Sequence, residues 1–419
     1  MQTVTYFPSI EDINKASEIL KGIASVTPLQ RNIQYSNRFE SNVFFKREDL
    51  QQVRSYKIRG SYNKIKSLST HEIENGVVCA SAGNHAQGVA LSCNLLKIEG
   101  TIVMPEPTPQ QKIDQVKMFG GNYIKIVLKG DTFDDSYHEA MLECERLNRT
   151  FIHPFDDEKI IEGQATVGLE IFEQSQEEID YIFVPVGGGG LAAGLSTYFN
   201  QISPKTKIIG VEPLGAPSMS ESIKNGKVTT LKQIEKFVDG AAVRRVGYKT
   251  FEICKEFLDN VITVHEGKIC QTILDLYNKE AIVVEPAGAL SIAALDHYAE
   301  EIKGKNVVCV VSGSNNDILR TPEIKERALL FASLKHYFII KFPQRAGALR
   351  EFVVDILGPS DDITHFQYTK KANRENDVAV VGIQLKSPKD LDPLITKMKL
   401  HNFFGDYLND KPDLFQFLV

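Results

Sequence analysis

Short, nearly continuous apolar runs alternate with amphipathic stretches through the first three-quarters of this chain. Residues 77–80, 101–104, 123–127, 181–186, 207–211 and 306–311 read as strands rich in Val and Ile. Residues 86–96, 109–119, 133–147 and 191–199 carry helical apolar spacing between them. Strands that are apolar at almost every position are buried on both faces, which predicts parallel sheets covered by helices. Residues 1–322 are therefore expected to form an α/β body of two lobes.

The pattern changes after Arg320. Residues 323–334 read as a charged helix or linker. A strand over 337–342, a helix over 346–356, strands over 363–368 and 378–385 and a helix over 390–399 follow, with room for a last strand at the C-terminus. This β-α-β-β-α order predicts a ferredoxin-like α+β domain over 323–419, linker helix included. No short-period repeat interrupts either part.

Composition narrows the class of function. A chain of 419 residues is too long for one core, and 42% apolar with 24% charged residues is ordinary for a globular protein. No apolar run approaches the length of a membrane span, and the first residues lack the basic-then-apolar build of a secretory signal. A net charge of −6 without long basic runs argues against nucleic acid as the partner. Six cysteines, Cys79, Cys93, Cys144, Cys254, Cys270 and Cys309, never form C-x-x-C and read as buried free thiols, not as disulfides or a zinc site. The expectation is a cytoplasmic protein that handles small molecules.

Candidate chemistry sits where strands give way to helices. Ser55-Tyr56-Lys57-Ile58-Arg59-Gly60 places a lysine at a helix start. Alone, such a lysine is most simply a solvated residue; a helix N-terminus also disfavours a cation and helps lower its pKa, which a Schiff-base lysine needs. Ser81-Ala82-Gly83-Asn84-His85 ends one strand. Asn84 is either an N-cap or part of a backbone N–H seat for a carboxylate. Gly187-Gly188-Gly189-Gly190-Leu191 lies between a buried strand and a helix, where its N–H groups can converge on a phosphate and the helix dipole adds roughly 0.3–1 kcal/mol per charge. A dinucleotide site is the rival reading: Ala192 fits the looser fingerprint and Glu212 stands at a tolerable distance. Ser312-Gly313-Ser314-Asn315-Asn316 is a turn, or a hydroxyl at the strand end where open α/β sheets bind ligands.

Taken together these segments resemble the fold type II pyridoxal-phosphate enzymes (tryptophan synthase β-like), and most closely the threonine deaminase family. The resemblance covers nearly the whole chain. The family's S-F-K-x-R-G-A motif is met with Tyr56 and Ser61 as departures; Ser81 to Gly88 and residues 187–191 fit without change. His153-Pro154-Phe155-Asp156-Asp157 and Glu285-Pro286-Ala287-Gly288-Ala289 are also similar to family segments. The resemblance implies pyridoxal 5'-phosphate held by Lys57 as an imine, with Asn84 on the ring's phenolic oxygen. It also implies Gly187, Gly188, Gly189, Gly190 and Leu191 around the phosphate and Ser312 at the pyridine nitrogen. Ser81, Ala82, Gly83, Asn84 and His85 would seat the substrate carboxylate.

The implied reaction is deamination of L-threonine to 2-oxobutanoate and ammonia, the first step of isoleucine formation, with L-serine to pyruvate as a side activity. The alternative is a serine dehydratase or racemase. Serine racemases place a serine before the Gly-Asn pair as second base; here that position is Ala82. Their metal pattern would use acidic groups around Glu212 and Ser218, and Ser218 departs from it, so no metal is expected. The segment Lys341-Phe342-Pro343-Gln344-Arg345-Ala346-Gly347-Ala348-Leu349 is similar to the F-P-E-R-P-G-A-L signature of ACT-like regulatory domains, with Gln344 and Ala346 as departures. One such domain implies the short biosynthetic form, an effector such as isoleucine or valine, and a homo-oligomer, dimer or tetramer.

Overall fold

The computed structural model describes residues 6–368 and 376–411. These fall into two compact units, Met1–Leu319 and Arg320–Val419, against an expected boundary at 322/323.

The first unit contains two sheets. The larger runs Leu29–Arg31, Asn42–Arg47, Asn306–Val311, Tyr181–Pro185, Lys207–Pro213, Asn260–Val264; all neighbours are parallel except the first pair. The smaller is wholly parallel, in the order Ile124–Leu128, Gly100–Met104, Val77–Ala80, Thr150–Phe151. Central strands such as Val77–Ala80 and Tyr181–Pro185 are buried at every position, as their unbroken apolar runs require. Each sheet has its own core. Val77, Cys79, Ile102 and Ile58 belong to one, and Ile182, Val184, Leu195 and Phe251 to the other. All six cysteines are free and only Cys144 is partly exposed.

The second unit is an antiparallel sheet in the order Asp362–Tyr368, Asn376–Gln384, Lys335–Pro343, Phe404–Tyr407, with Thr321–Phe331 preceding it and Leu391–Leu400 among its helices. That is the ferredoxin-like arrangement. The helix expected over 346–356 is α-helical only over Ala348–Glu351 and continues as a π-helix over Phe352–Ile356, where Leu357 N–H reaches Phe352 O at 3.2 Å. The last strand precedes the C-terminal residues 412–419, which lie outside the described ones. No helix among the described residues is long and apolar enough to cross a membrane.

Parallel strands of one sheet align their C-terminal ends, so the loops after Pro185 and Val311, on adjacent strands of the larger sheet, become neighbours. The loop after Ala80 reaches them from the smaller sheet through the Asn84–Asn315 hydrogen bond. These are the loops that carry the candidate residues.

Candidate active site

Lys57 opens the helix Lys57–Lys66, whose N-cap Tyr56 offers no side-chain cap. The segment before it is pinned to the last loop. Ser55 bridges Gly313, and Tyr56 N–H donates to Ser312 O at 3.2 Å. Lys57 Nζ donates to Pro154 O at 2.8 Å and lies 5.2 Å from the Tyr56 ring centroid. Burial lowers the Lys57 pKa to about 8, against the opposing pull of the Glu285 carboxylate.

The same helix is held from behind by Arg59, one of the largest fully buried side chains. Its guanidinium donates twice to Glu48, at 2.8 Å each, and to Glu170 Oε1 at 2.7 Å. Lys46 Nζ donates to the other Glu170 oxygen at 2.6 Å. Two cations face two carboxylates, so the buried charge is balanced.

Asn84 is the first residue of the helix Asn84–Leu96, and Gly83, not Asn84, stands at the N-cap. The capping alternative therefore fails, and the Asn84 amide is used elsewhere. Its Nδ2 donates to Glu285 Oε1 at 2.6 Å, and its Oδ1 accepts from Asn315 Nδ2 at 2.6 Å. Ser81 Oγ accepts from Gly83 N–H at 3.2 Å, and Ala82 is partly buried beside it. His85 Nε2 hydrogen-bonds Ile152 O at 2.8 Å; burial pushes its pKa down to about 3, so the ring is neutral. A carbonyl only accepts, which puts the proton on Nε2 and leaves Nδ1 a buried acceptor without a partner.

Glu285 was not singled out as a site residue from the sequence alone. It is buried and precedes Pro286 at the start of the helix Pro286–Ala293; burial raises its pKa to about 7, with the Asn84 hydrogen bond pulling the other way. The available signal was a lone acid inside the apolar run Ile282-Val283-Val284-Glu285-Pro286-Ala287.

Gly187 to Gly190 leave Tyr181–Pro185 and enter the helix Gly190–Ile202. Gly189 is the N-cap at φ +95°, a left-handed conformation that favours glycine. A Cβ on Gly188 would sit 2.1 Å from Phe155 Cδ1, so that ring lies flush on the loop. Leu191 is buried in the core behind it. Ser312, at the end of Asn306–Val311, is buried, and Glu285 N–H donates to Gly313 O at 3.2 Å. Lys57, Asn84, Ser312 and the glycine loop are thus joined by direct contacts or through residues 152–157, Glu285 and Asn315.

The expected absence of a metal centre rested on Ser218. Glu212 accepts from Met219 N–H at 2.6 Å and from Ser220 N–H and Oγ at 2.9 and 2.7 Å. Its oxygens thus serve the first turn of the helix Ser218–Lys224. With its oxygens so engaged, Glu212 lends no support to the dinucleotide reading, which explains neither Lys57 nor Asn84.

Comparison with known proteins gives the family. Residues 20–313 match the family described as pyridoxal-phosphate dependent enzyme, and residues 326–418 match the C-terminal regulatory domain of threonine dehydratase. The chain is 56% identical over 410 residues to the L-threonine dehydratase biosynthetic IlvA of Halalkalibacterium halodurans, covering 98% of this chain and 99% of that one. The processed form of threonine deaminase isoform 2 from Solanum lycopersicum superposes with a TM-score of 0.72 at 41% identity, over 78% of this chain and 90% of that one. Maize serine racemase gives a TM-score of 0.72 at 31% identity, over 77% and 98%. The chain belongs to the biosynthetic threonine dehydratases, within the pyridoxal-phosphate-dependent enzymes.

Proposed function

We propose that Lys57 is the attachment point of pyridoxal phosphate in this threonine dehydratase and the base that moves the substrate's Cα proton. The carrying observation is the buried amine itself, lowered to about pKa 8 and aimed at Pro154 O. The site suits the cofactor in other respects. The glycine loop cannot admit a Cβ at Gly188, and Ser55 Oγ, His85 Nδ1, Asn315 Oδ1 and Asn316 Oδ1 are buried polar atoms without protein partners. Residues 187–191 would hold the phosphate, Asn84 the phenolic oxygen and Ser312 the ring nitrogen; backbone N–H groups of residues 81–85 would seat the substrate carboxylate.

Pyridoxal phosphate supplies a carbonyl that takes up the substrate nitrogen and a ring that withdraws electrons from Cα. Lys57, freed from attachment, is neutral often enough near pH 8 to accept the Cα proton at Nζ. Ser312 is an uncharged partner that does not enforce a proton on the ring nitrogen, which favours loss of the β-hydroxyl over reprotonation elsewhere. The β-hydroxyl would take up a proton and depart as water. The remainder of threonine would be released as the enamine, and a water would convert that to 2-oxobutanoate and ammonia. Serine would give pyruvate by the same steps. Racemisation needs a second acid–base group, and Ala82 offers none.

The effector reading rests on a concavity of about 360 Å³ in the second unit, lined by Phe342, Gln344, Arg345, Gly347, Phe366 and Tyr368 among others. Aromatic walls suit a branched aliphatic side chain, and Arg345, whose Nη2 already donates to Glu351, has further guanidinium donors for a carboxylate, the two ends of isoleucine or valine. The protein works in the cytoplasm, in keeping with its free thiols, and as a homo-oligomer, as the family resemblance implies. Purified enzyme supplied with threonine tests the reaction: 2-oxobutanoate and ammonia in equal amounts are expected, together with a visible absorption band that shifts when threonine is added. A colourless protein without turnover would sink it.

A further inference from the structure

Residues 152–157, between Thr150–Phe151 and Glu158–Gln174, meet three separate parts of the site. Ile152 O takes His85 Nε2, Pro154 O takes Lys57 Nζ, and the Phe155 ring covers Gly188. His153 Nδ1 accepts from Phe155 and Asp156 N–H at 3.2 and 2.8 Å, which fixes the turn between them. Asp156 then reaches outward. Its Oδ2 accepts from Tyr248 N–H at 2.9 Å, and its Oδ1 from Lys249 and Thr250 N–H at 2.8 and 3.2 Å.

Those three donors are the first turn of the helix Tyr248–Phe257, whose own N-cap is Gly247 and which has no local side-chain cap. A carboxylate 91 positions upstream, counting from 156 to 247, supplies what that helix lacks. The fit is close: a Cβ on Gly247 would sit 2.3 Å from Asp156 Oδ1. The capped turn in turn grips the glycine loop, because Thr250 Oγ1 donates to Gly188 O at 2.6 Å and Gly247 N–H to the same oxygen at 3.3 Å. Pointing the Gly188 carbonyl outward into these donors sets the peptide planes of the loop, and with them the direction of its N–H groups.

We infer that Asp156 is a positioning residue that locks the lysine-contacting carbonyl and the glycine loop into one unit, so that the amine anchor and the phosphate seat keep a fixed separation. This rests on the reading of Lys57 and the glycine loop given above. It goes beyond that reading by assigning the residue that sets their mutual geometry.

The test compares the holoenzyme with Asp156→Ala, Asp156→Asn and Thr132→Ala. Thr132 accepts from Asp135 N–H as the cap of the helix Phe133–Leu147 and makes none of these hydrogen bonds itself. After cofactor removal, each protein is titrated with pyridoxal 5'-phosphate and with phosphate-free pyridoxal, read by absorbance, alongside thermal melting. Asp156→Ala is expected to lose preference for the phosphorylated form by about five- to thirtyfold, the factor carried by losing a charged helix cap. Asp156→Asn keeps one acceptor oxygen but presents an N–H₂ where Oδ2 stood. It is expected to fold and lose a smaller part of that preference, which decides the matter if the alanine variant does not fold. Thr132→Ala should melt lower with its preference intact. Asp156 variants that melt lower yet keep the wild-type preference would make Asp156 only a helix cap and overturn the inference. A wild-type protein that binds neither compound would instead overturn the assignment of Lys57 and the loop.

Discussion

Asn84 Nδ2 lies 2.6 Å from Glu285 Oε1, although 201 positions separate the two in the chain. With Asn315 Nδ2 on its oxygen, the Asn84 amide has one orientation, nitrogen towards the carboxyl group. Glu285 thereby sets how Asn84 faces the site. Burial raises its pKa to about 7, so its charge changes in the working range.

Glu285→Gln should therefore flatten the pH dependence of kcat/KM around 7. The stability consequence has a definite sign. The unfolded carboxyl ionises near the ordinary value of 4.5 and the folded one near 7, so the folded apoprotein holds a proton that the unfolded chain has lost. Stability conferred by that proton is present at low pH, declines as pH rises between the two values and is gone above 7. Melting of wild type and Glu285→Gln at pH 5 and 8 checks it; a difference that does not change with pH would refute the assignment.

Lys57→Ala should abolish the visible band and lower turnover by at least about 10²–10⁴-fold. In the wild-type apoprotein, a pKa near 8 makes the Lys57 amine about tenfold more neutral at pH 9 than at pH 7. Reconstitution with pyridoxal phosphate should accelerate to match, and a pH-independent rate would contradict a buried, lowered lysine.

Ser312→Ala should reduce kcat by about tenfold, the weight of one lost hydrogen bond of this kind, and barely move the melting temperature. A large loss of stability with full turnover by the surviving enzyme would make Ser312 structural.

Arg59→Ala leaves the Glu48 and Glu170 carboxylates with Lys46 as the cation between them and neutral donors from Thr27 and Gln51. A loss of about 3–5 kcal/mol is expected from chemical denaturation. A loss below about 1 kcal/mol, the value of exposed pairs, would show that water reaches the network.

Isoleucine should raise the threonine concentration needed for half-maximal rate, and Arg345→Ala should raise the isoleucine requirement by about tenfold without altering the curve in its absence. Unchanged inhibition would place the effector elsewhere than the Phe342–Tyr368 concavity.

Strands buried on both faces were legible because their apolar runs admit no other reading: residues 77–80 and 306–311 were placed to the residue. The two- and three-residue strands Thr150–Phe151 and Leu29–Arg31 were not, since so short a piece has no period to detect. The π-helical turn Phe352–Ile356 escaped for a related reason, as apolar spacing does not distinguish one helical register from another. At the site, Lys57, Asn84 and the glycines were candidates because each sits where a loop or strand gives way to a helix. Glu285 and Asp156 do not. Each acts through a partner about 90 to 200 positions away, and such pairings exist only once the sheets bring strand ends together.

The burial of the thiols turns the six cysteines into a clock for unfolding. Reaction with alkylating reagents requires the thiolate, and burial pushes Cys93 up to about 12 and the partly exposed Cys144 up to about 11, and raises Cys79, Cys254 and Cys309 by the same cause. The folded chain is consequently close to inert towards such reagents at neutral pH, while an opened lobe becomes reactive at once. Because Cys79 and Cys93 sit in the core of the smaller sheet and Cys254 in that of the larger, the order in which they are labelled reports which lobe opens first, without any added probe.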